Sequence, residues 1–279
     1  MLAPLRDHLR PNEPASSLLL STTKEIYFTR LSGNISPGKP GFEEARWITT
    51  EDVNIEHLLD VFTKTDVGSE SIWDVCTKFM AQLYFHKPRL VTLVPNIEAL
   101  PDNHPSKPQC LFDLSLLFDP VGNLVECKRL FSHSIKLWRE RGNDFMIAQT
   151  LRIPSGTNRR TGLYEEGIRQ AREASEVFER LGHVVYRAYS LITLAWVLCS
   201  DGQLNAAEET GSRAINLPPE EGEELWVCGV HRVLGEIYQC KGKLKKAVRH
   251  LEAALGIASS VNMVEQMFWV HYSLVWVFC

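Results

Sequence analysis

The sequence has no stretch that could cross a membrane as a helix: its best candidate, "LITLAWVLC", stops at nine residues, where a span needs roughly eighteen or more. Strong charge is missing too. Thirty basic residues stand against 34 acidic ones, for a net −4, so no overall field draws in nucleic acid or an anionic membrane. The seven cysteines are odd in number, widely spread and never paired as C-x-x-C, which excludes a disulfide framework and fits a reduced compartment. The opening "MLAPLRDHLRPNEPASSLLLS" interrupts its apolar residues with Arg6, Asp7, Arg10 and Glu13, which is wrong for a secretory signal. A cytoplasmic protein is expected. Neither G-x-S-x-G nor H-E-x-x-H occurs, so nothing supports an enzyme, a cofactor or a metal.

A phosphate-binding loop is almost present. "SGNISPGKPG" follows the apolar "EIYFTRL" and spaces Gly33 from Gly38-Lys39 as such a loop requires. The next position should offer a hydroxyl to magnesium, but it is Pro40, and Pro37 removes a second amide from the anion nest. Asp60 and Asp119 are poor candidates for the metal-binding acid that would have to accompany it. Gly33, Pro37, Gly38, Pro40 and Gly41 read better as a turn-rich linker, and a nucleotide-dependent switch using residues 33–40 is the rival reading.

What the chain does have is periodicity. Glycine recurs at 122, 142, 162, 182, 202, 222 and 242, one every twenty residues. Between these marks the apolar residues keep helical spacing, as with Leu244, Ala247, Val248, Leu251, Ala254, Leu255 and Ala258. Each block is a helix closed by glycine, the residue that turns left-handed at least cost. Pairs of blocks give helical hairpins over 103–142, 143–182, 183–222 and 223–262, then a lone helix over 263–279. Ser134, Ala174, Ala214 and Ala254 share one column, where small side chains let helices approach. Upstream of the glycine, Leu114-Ser115 with Phe118, Leu194-Ala195 with Leu198, and Leu234-Gly235 with Tyr238 match one another.

These columns resemble the tetratricopeptide repeat (TPR). Leu234, Gly235 and Tyr238 fit its Leu-Gly-x-x-Tyr, and Gly242, Leu244, Ala247 and then Ala254 fit its second helix. Gly202, Leu204, Ala207, Ala214 and Pro219 repeat the pattern, whereas the hairpin around Gly162 departs from it. There Pro154 and Gly156 fall inside the first helix, so that helix is expected to be kinked or broken. The resemblance implies an all-α, right-handed superhelical solenoid of antiparallel hairpins with a forty-residue period, like the long-helix variant in the sensor arms of signal-transducing ATPases. HEAT and armadillo repeats share the length but lack the Gly-x-Leu-x-x-Ala column. With "STTKEIYFTRL", "RWITTEDVNIEHLLDVF" and "HPSKPQCLF" included, the chain resembles the C-terminal portion of fungal NACHT or NB-ARC-type (STAND) signalling proteins, of which it would be a fragment or relative.

Residues 1–50 are expected to be linker-like and residues 51–102 to form a helical region that caps or continues the array. Thr49 or Thr50 should cap a helix over 51–64, with Glu51 and Asp52 offsetting its dipole. A second helix carries Ile72, Trp73, Cys76, Phe79, Met80 and Leu83 on one stripe, and residues 88–100 read as an interrupted helix.

The resemblance also implies a partner-binding groove lined by the first helix of each hairpin, and the family's positions fall here on Arg152, Arg159 and Arg160; on Tyr189, Ile192, Trp196 and Ser200; on Arg232, Glu236 and Gln239; and on Trp269, Tyr272 and Trp276. Aromatics beside arginines dominate binding hot spots, so the expected partner is a protein or peptide segment with acidic and apolar residues. The same tryptophans equally suit ordinary helix packing, and the arginines a solvated surface. The lysine and asparagine pattern of the family's chaperone-tail clamp is absent. Cys228 and His231 are too few to hold a metal. The last helix, with Phe268, Val270, Leu274, Val275 and Phe278, lacks a covering second helix, so self-association, truncation or low solubility is expected.

Overall fold

The computed structural model describes residues 42–86, 88–218, 224–260 and 263–278, and every regular element among them is an α-helix. The loop at 33–40, the expected closing Pro219 and Gly222 lie outside the described residues. The described residues through Leu137 pack as one unit and those from Trp138 as a second.

The first unit holds α1 (Phe42–Thr65), α2 (Glu70–His86), α3 (Val94–Ala99), α4 (Lys107–Phe118) and most of α5 (Leu124–Glu140). The stripe expected on α2 is its core: Ile72, Trp73, Cys76, Phe79, Met80 and Leu83 are all fully buried. The Trp73 indole N–H donates to the Val67 carbonyl at 2.8 Å, which ties the α1–α2 turn to that core. The start of α1 differs from expectation. It begins at Phe42, so Thr49 and Thr50 lie inside the helix and not at its start. Glu51 and Asp52 therefore lie beyond the first turn, where they do not offset the helix dipole. Asp52 and Glu56 are buried and both hold Arg89, at 2.9 and 2.5 Å, and Glu56 also accepts the Thr92 N–H. The interrupted helix expected over 88–100 shrinks to α3, with Pro95 in its first turn. The last carbonyls of α3 are satisfied by the buried ammonium of Lys107, which donates to Ile97 O at 2.7 Å and Glu98 O at 2.8 Å.

The second unit stacks hairpins. The pairs are α6 (Asp144–Arg160) with α7 (Tyr164–Arg180), α8 (Val184–Ser200) with α9 (Leu204–Ile215), and α10 (Glu224–Cys240) with α11 (Leu244–Ser260), after which α12 (Val264–Phe278) packs on α11. Across both units the regularity comes from the glycines. Gly122, Gly142, Gly162, Gly182, Gly202 and Gly242 all sit at φ between 63° and 80°. At each, the glycine N–H bonds the carbonyl three residues back, and the next N–H bonds the one five back, at 2.8–3.4 Å. That is the Schellman closure, which satisfies the carbonyls a helix end leaves orphaned. The small column then does its work: Ser134, Ala174, Ala214 and Ala254 are completely buried where helices cross. Two further glycines permit still closer packing, since a Cβ at Gly211 would lie 2.6 Å from Leu234 and one at Gly235 2.6 Å from Leu251.

The break expected in α6 is absent. The helix runs unbroken through Pro154, which is buried within it. A proline there forfeits one backbone bond and crowds the preceding turn, at a cost of roughly 3 kcal/mol. Ties to α7 offset it: Ser155 Oγ donates to Gly167 O at 2.8 Å and Asn158 Nδ2 to Gln170 Oε1 at 3.0 Å, both buried.

The glycine closures can be tested by a pair of substitutions. Gly202→Ala forces a left-handed alanine and should destabilise by about 1–2 kcal/mol. Gly256→Ala, in mid-helix where a Cβ meets nothing within 4 Å, should stabilise by about 0.5–1 kcal/mol. Urea unfolding measures both, and the same sign for the two would contradict this account of the turns. A pH dependence is expected from Asp113 on α4. Burial pushes its carboxyl up to about 8, against a single hydrogen bond from Gln109 at 2.9 Å that favours the charged form. The folded state therefore keeps a proton that the unfolded chain has lost above about pH 4, so this group's contribution to stability declines as pH rises from about 4 to 8. Asp113→Asn should melt higher than the parent at pH 8, and the two midpoints should converge near pH 4.

Candidate protein-interaction groove

Because the hairpins of the second unit repeat every forty residues, equivalent positions of α6, α8, α10 and α12 align side by side. Gly156, Trp196, Glu236 and Trp276 form one such column. The contacts around it join four of the residues expected in the groove. Arg232 lies over the Trp196 ring at 4.3 Å and Arg159 over it at 5.9 Å, so the indole has two guanidinium groups against it. The Trp196 N–H donates to Glu236 at 2.7 Å. The other Glu236 oxygen accepts Ser273 Oγ at 3.1 Å and faces Arg232 at 3.5 Å. One carboxylate thus connects α8, α10 and α12. Being partly buried, it makes stronger hydrogen bonds than a solvated one would.

The remaining expected residues divide. Arg152 stacks on Tyr189 at 5.7 Å, a second pair bridging α6 and α8. Arg160 is exposed in the last turn of α6, and Gln239 is half-buried in the last turn of α10. Trp269, Tyr272 and Trp276 run edge to face along α12 with ring centroids 6.2 and 6.1 Å apart, and all three are exposed. Ile192 departs from its assignment. It is buried and belongs to the core, with its Cδ1 only 3.3 Å from where a Cβ on Gly229 of α10 would stand. The uncovered face of α12 also differs in detail: Val270 is fully buried and Leu274 packs against the core. The apolar residues left outside are Phe268, Trp269, Tyr272, Val275 and Trp276, while the Phe278 side chain lies outside the described residues.

Two features were not foreseen. Ser273, which completes the Glu236 site, is an ordinary serine in a run of apolar residues, and only the forty-residue register with Val233 and Thr193 marks its face. Phe145, Phe178, His183 and Tyr186 form an aromatic cluster that fixes α6, α7 and α8 together, with Phe178 and Tyr186 stacked at 5.3 Å.

Burial holds the thiols of Cys76, Cys110, Cys199 and Cys228 above their ordinary range, Cys199 up to about 12 beside Cys240, so they are neutral thiols and not nucleophilic thiolates. Cys228 and His231 part company: the thiol donates to Ala254 O, and His231 meets His250 with their Nδ1 atoms 3.1 Å apart. Burial lowers the pKa of both imidazoles. No group of three or more metal-ligating side chains occurs among the described residues, and no helix among them is long and apolar enough to cross a membrane.

Glu236→Ala leaves the Trp196 N–H without its acceptor and Arg232 without this carboxylate. It should cost about 1–3 kcal/mol in denaturant unfolding, against about 0.5 kcal/mol or less for Gln239→Ala. Equal costs would mean that the Glu236 contacts are not organising this face.

No protein-family model matches the chain, and no curated protein matches it. Solved structures do. Aspartyl phosphate phosphatase F from Bacillus subtilis superposes with a TM-score of 0.57 at 14% identity, over 96% of this chain and 70% of that one. A Rap protein in complex with competence and sporulation factor gives a TM-score of 0.51 at 14% identity, over 98% and 89%. A point variant of the nearly identical TPR-like repeats of a Podosopora anserina kinesin light chain gives 0.51 at 14% identity, over 76% and 96%. At these identities the likeness establishes the fold, an all-α TPR-like solenoid of stacked helical hairpins.

Proposed function

We propose that the chain is a non-enzymatic scaffold that binds a protein or peptide segment across the concave face formed by α6, α8, α10 and α12. The observation that carries this reading is the linked set of Arg159, Trp196, Arg232, Glu236 and Ser273, which pre-orders an aromatic ring and two guanidinium groups on that face. Pre-ordered aromatic and arginine side chains lose little entropy on binding and are the residue types that concentrate binding energy. Arg152 on Tyr189 and the exposed Trp269, Tyr272 and Trp276 extend the same face in both directions. The Rap protein solved with competence and sporulation factor supports a segment-binding role for this architecture by analogy.

The columns at Gly122, Gly162, Gly202 and Gly242, with their forty-residue period, further support reading the array as the interaction arm of a cytoplasmic STAND-type signalling protein. The phosphatase named among the fold neighbours does not favour an enzyme here, because a shared fold does not carry a reaction. The neutral buried thiols likewise offer no activated sulfur nucleophile.

Affinity capture from an extract of the source organism, with the parent chain beside Trp196→Ala and Arg159→Glu, tests the groove. Partners that use it should fall at least tenfold with both variants while the far-ultraviolet circular dichroism is unchanged. Equal recovery by all three chains rejects this face as the binding site.

A further inference from the structure

Gly156 is unexplained by packing. It lies in the interior of α6, where glycine costs helix stability relative to alanine, yet a Cβ built there would meet nothing within 4 Å and its φ is not left-handed. The crowded glycines show the contrast: Gly167, Gly211 and Gly235 each face a neighbour within about 3.1 Å. In its column the later repeats place Trp196, Glu236 and Trp276, so on α6 the floor of the face has a notch where its equivalents carry large side chains. Arg152 lies one helical turn before the notch, and Arg159 and Arg160 one turn after it.

The charge of the two helices around the notch is mostly of one sign. Apart from Asp144 in its first turn, α6 carries no acid, and α8 carries none at all. Asp144 pairs with Arg180 at 3.3 Å, and the one arginine of α8, Arg187, pairs with Glu179 at 2.6 Å. Three arginines of α6 therefore flank the notch on helices with a net positive charge. At α10 the balance changes, because Glu236 sits beside Arg232 at 3.5 Å. At α12 the face is aromatic, with Trp269, Tyr272 and Trp276 exposed. Cationic character thus gives way to aromatic character across four adjacent helices.

We infer that the groove is polarised. The notch at Gly156 receives the backbone of the bound segment and places one of its aspartate or glutamate side chains among Arg152, Arg159 and Arg160, while the α12 end takes an aromatic or branched apolar side chain of the same segment. This rests on the reading of the face as a segment-binding groove. Three steps between neighbouring helices span about 24–30 Å, which an extended chain covers in about seven to nine residues. The spacing between the acidic and the apolar residue is therefore fixed by the scaffold.

Selection of a displayed library of random sixteen-residue peptides on the full chain tests this. Recovered peptides should be enriched several-fold in Asp or Glu, with an aromatic or branched apolar residue about seven to nine positions away. The double variant Arg159→Glu with Arg160→Glu should lose the acidic enrichment and keep the apolar one. Gly156→Trp, which gives α6 the residue of its own column, should cut recovery at least tenfold. Gly156→Ala, which the helix accommodates, should raise the thermal midpoint and still cut recovery about threefold or more, whereas Gly256→Ala raises the midpoint and leaves recovery unchanged. Peptides without acidic enrichment, acidic enrichment that survives the double reversal, or recovery indifferent to both Gly156 variants would overturn the polarity while leaving the groove standing. No recovery above a column lacking the protein rejects the groove itself.

Discussion

A helix that is stopped after a fixed number of residues by a left-handed glycine can be stacked in register with others of the same length. In this chain six helices, α5 to α8, α10 and α11, are each 17 residues long. The described turns at Gly122, Gly142, Gly162, Gly182, Gly202 and Gly242 close on a glycine at positive φ. That closure has a double effect. It satisfies the last carbonyls without side-chain caps, and it starts the next helix at a constant phase. With phase and length both fixed, one position in every forty meets the same surroundings. Ser134, Ala174, Ala214 and Ala254 can then all be sealed at helix crossings, and Trp196 can reach Glu236 one period away.

The face that carries the candidate site depends on this register more than on any single side chain. Glu236 is useful because the period brings it opposite Trp196 and because Ser273, on the next helix, arrives at its second oxygen. The same repetition makes a departure from the column conspicuous. A glycine at 156 among Trp196, Glu236 and Trp276 changes the local surface without disturbing the stack, since it alters only what points away from it. Variation confined to such columns lets a solenoid acquire a distinct binding surface while its core columns stay uniform.

Much of the fold was legible because it is written in local signals: the glycine spacing, the helical stripes and the small column each need only a few neighbouring residues to be read. What was misread involved partners far along the chain. Glu51 and Asp52 looked like first-turn acids, and the role of Asp52 emerged only with Arg89, 37 residues away. Pro154 looked like a breaker because the rule for proline considers one helix, whereas Ser155 and Asn158 hold that helix to α7. On the face itself, column arithmetic transfers between repeats, so the family positions include Trp196, Arg232 and Glu236, which touch one another. That arithmetic failed at Ile192, a groove position that is core here and lies close against Gly229. Ser273 carried no signal of its own because a serine becomes an orienting group only when an acceptor is presented to it.

The stacking of the second unit also bears on how it comes apart. The ties described within it join residues about one period apart: Trp196 to Glu236 at a separation of 40, Ser273 to Glu236 at 37, and Lys241 to Asn205 at 36. Such a chain has low contact order, so little loop-closure entropy opposes each step, and folding can nucleate at one hairpin and spread to its neighbours. Unfolding then spreads from hairpin to hairpin as a moving boundary, and amide exchange slows toward the middle of the stack.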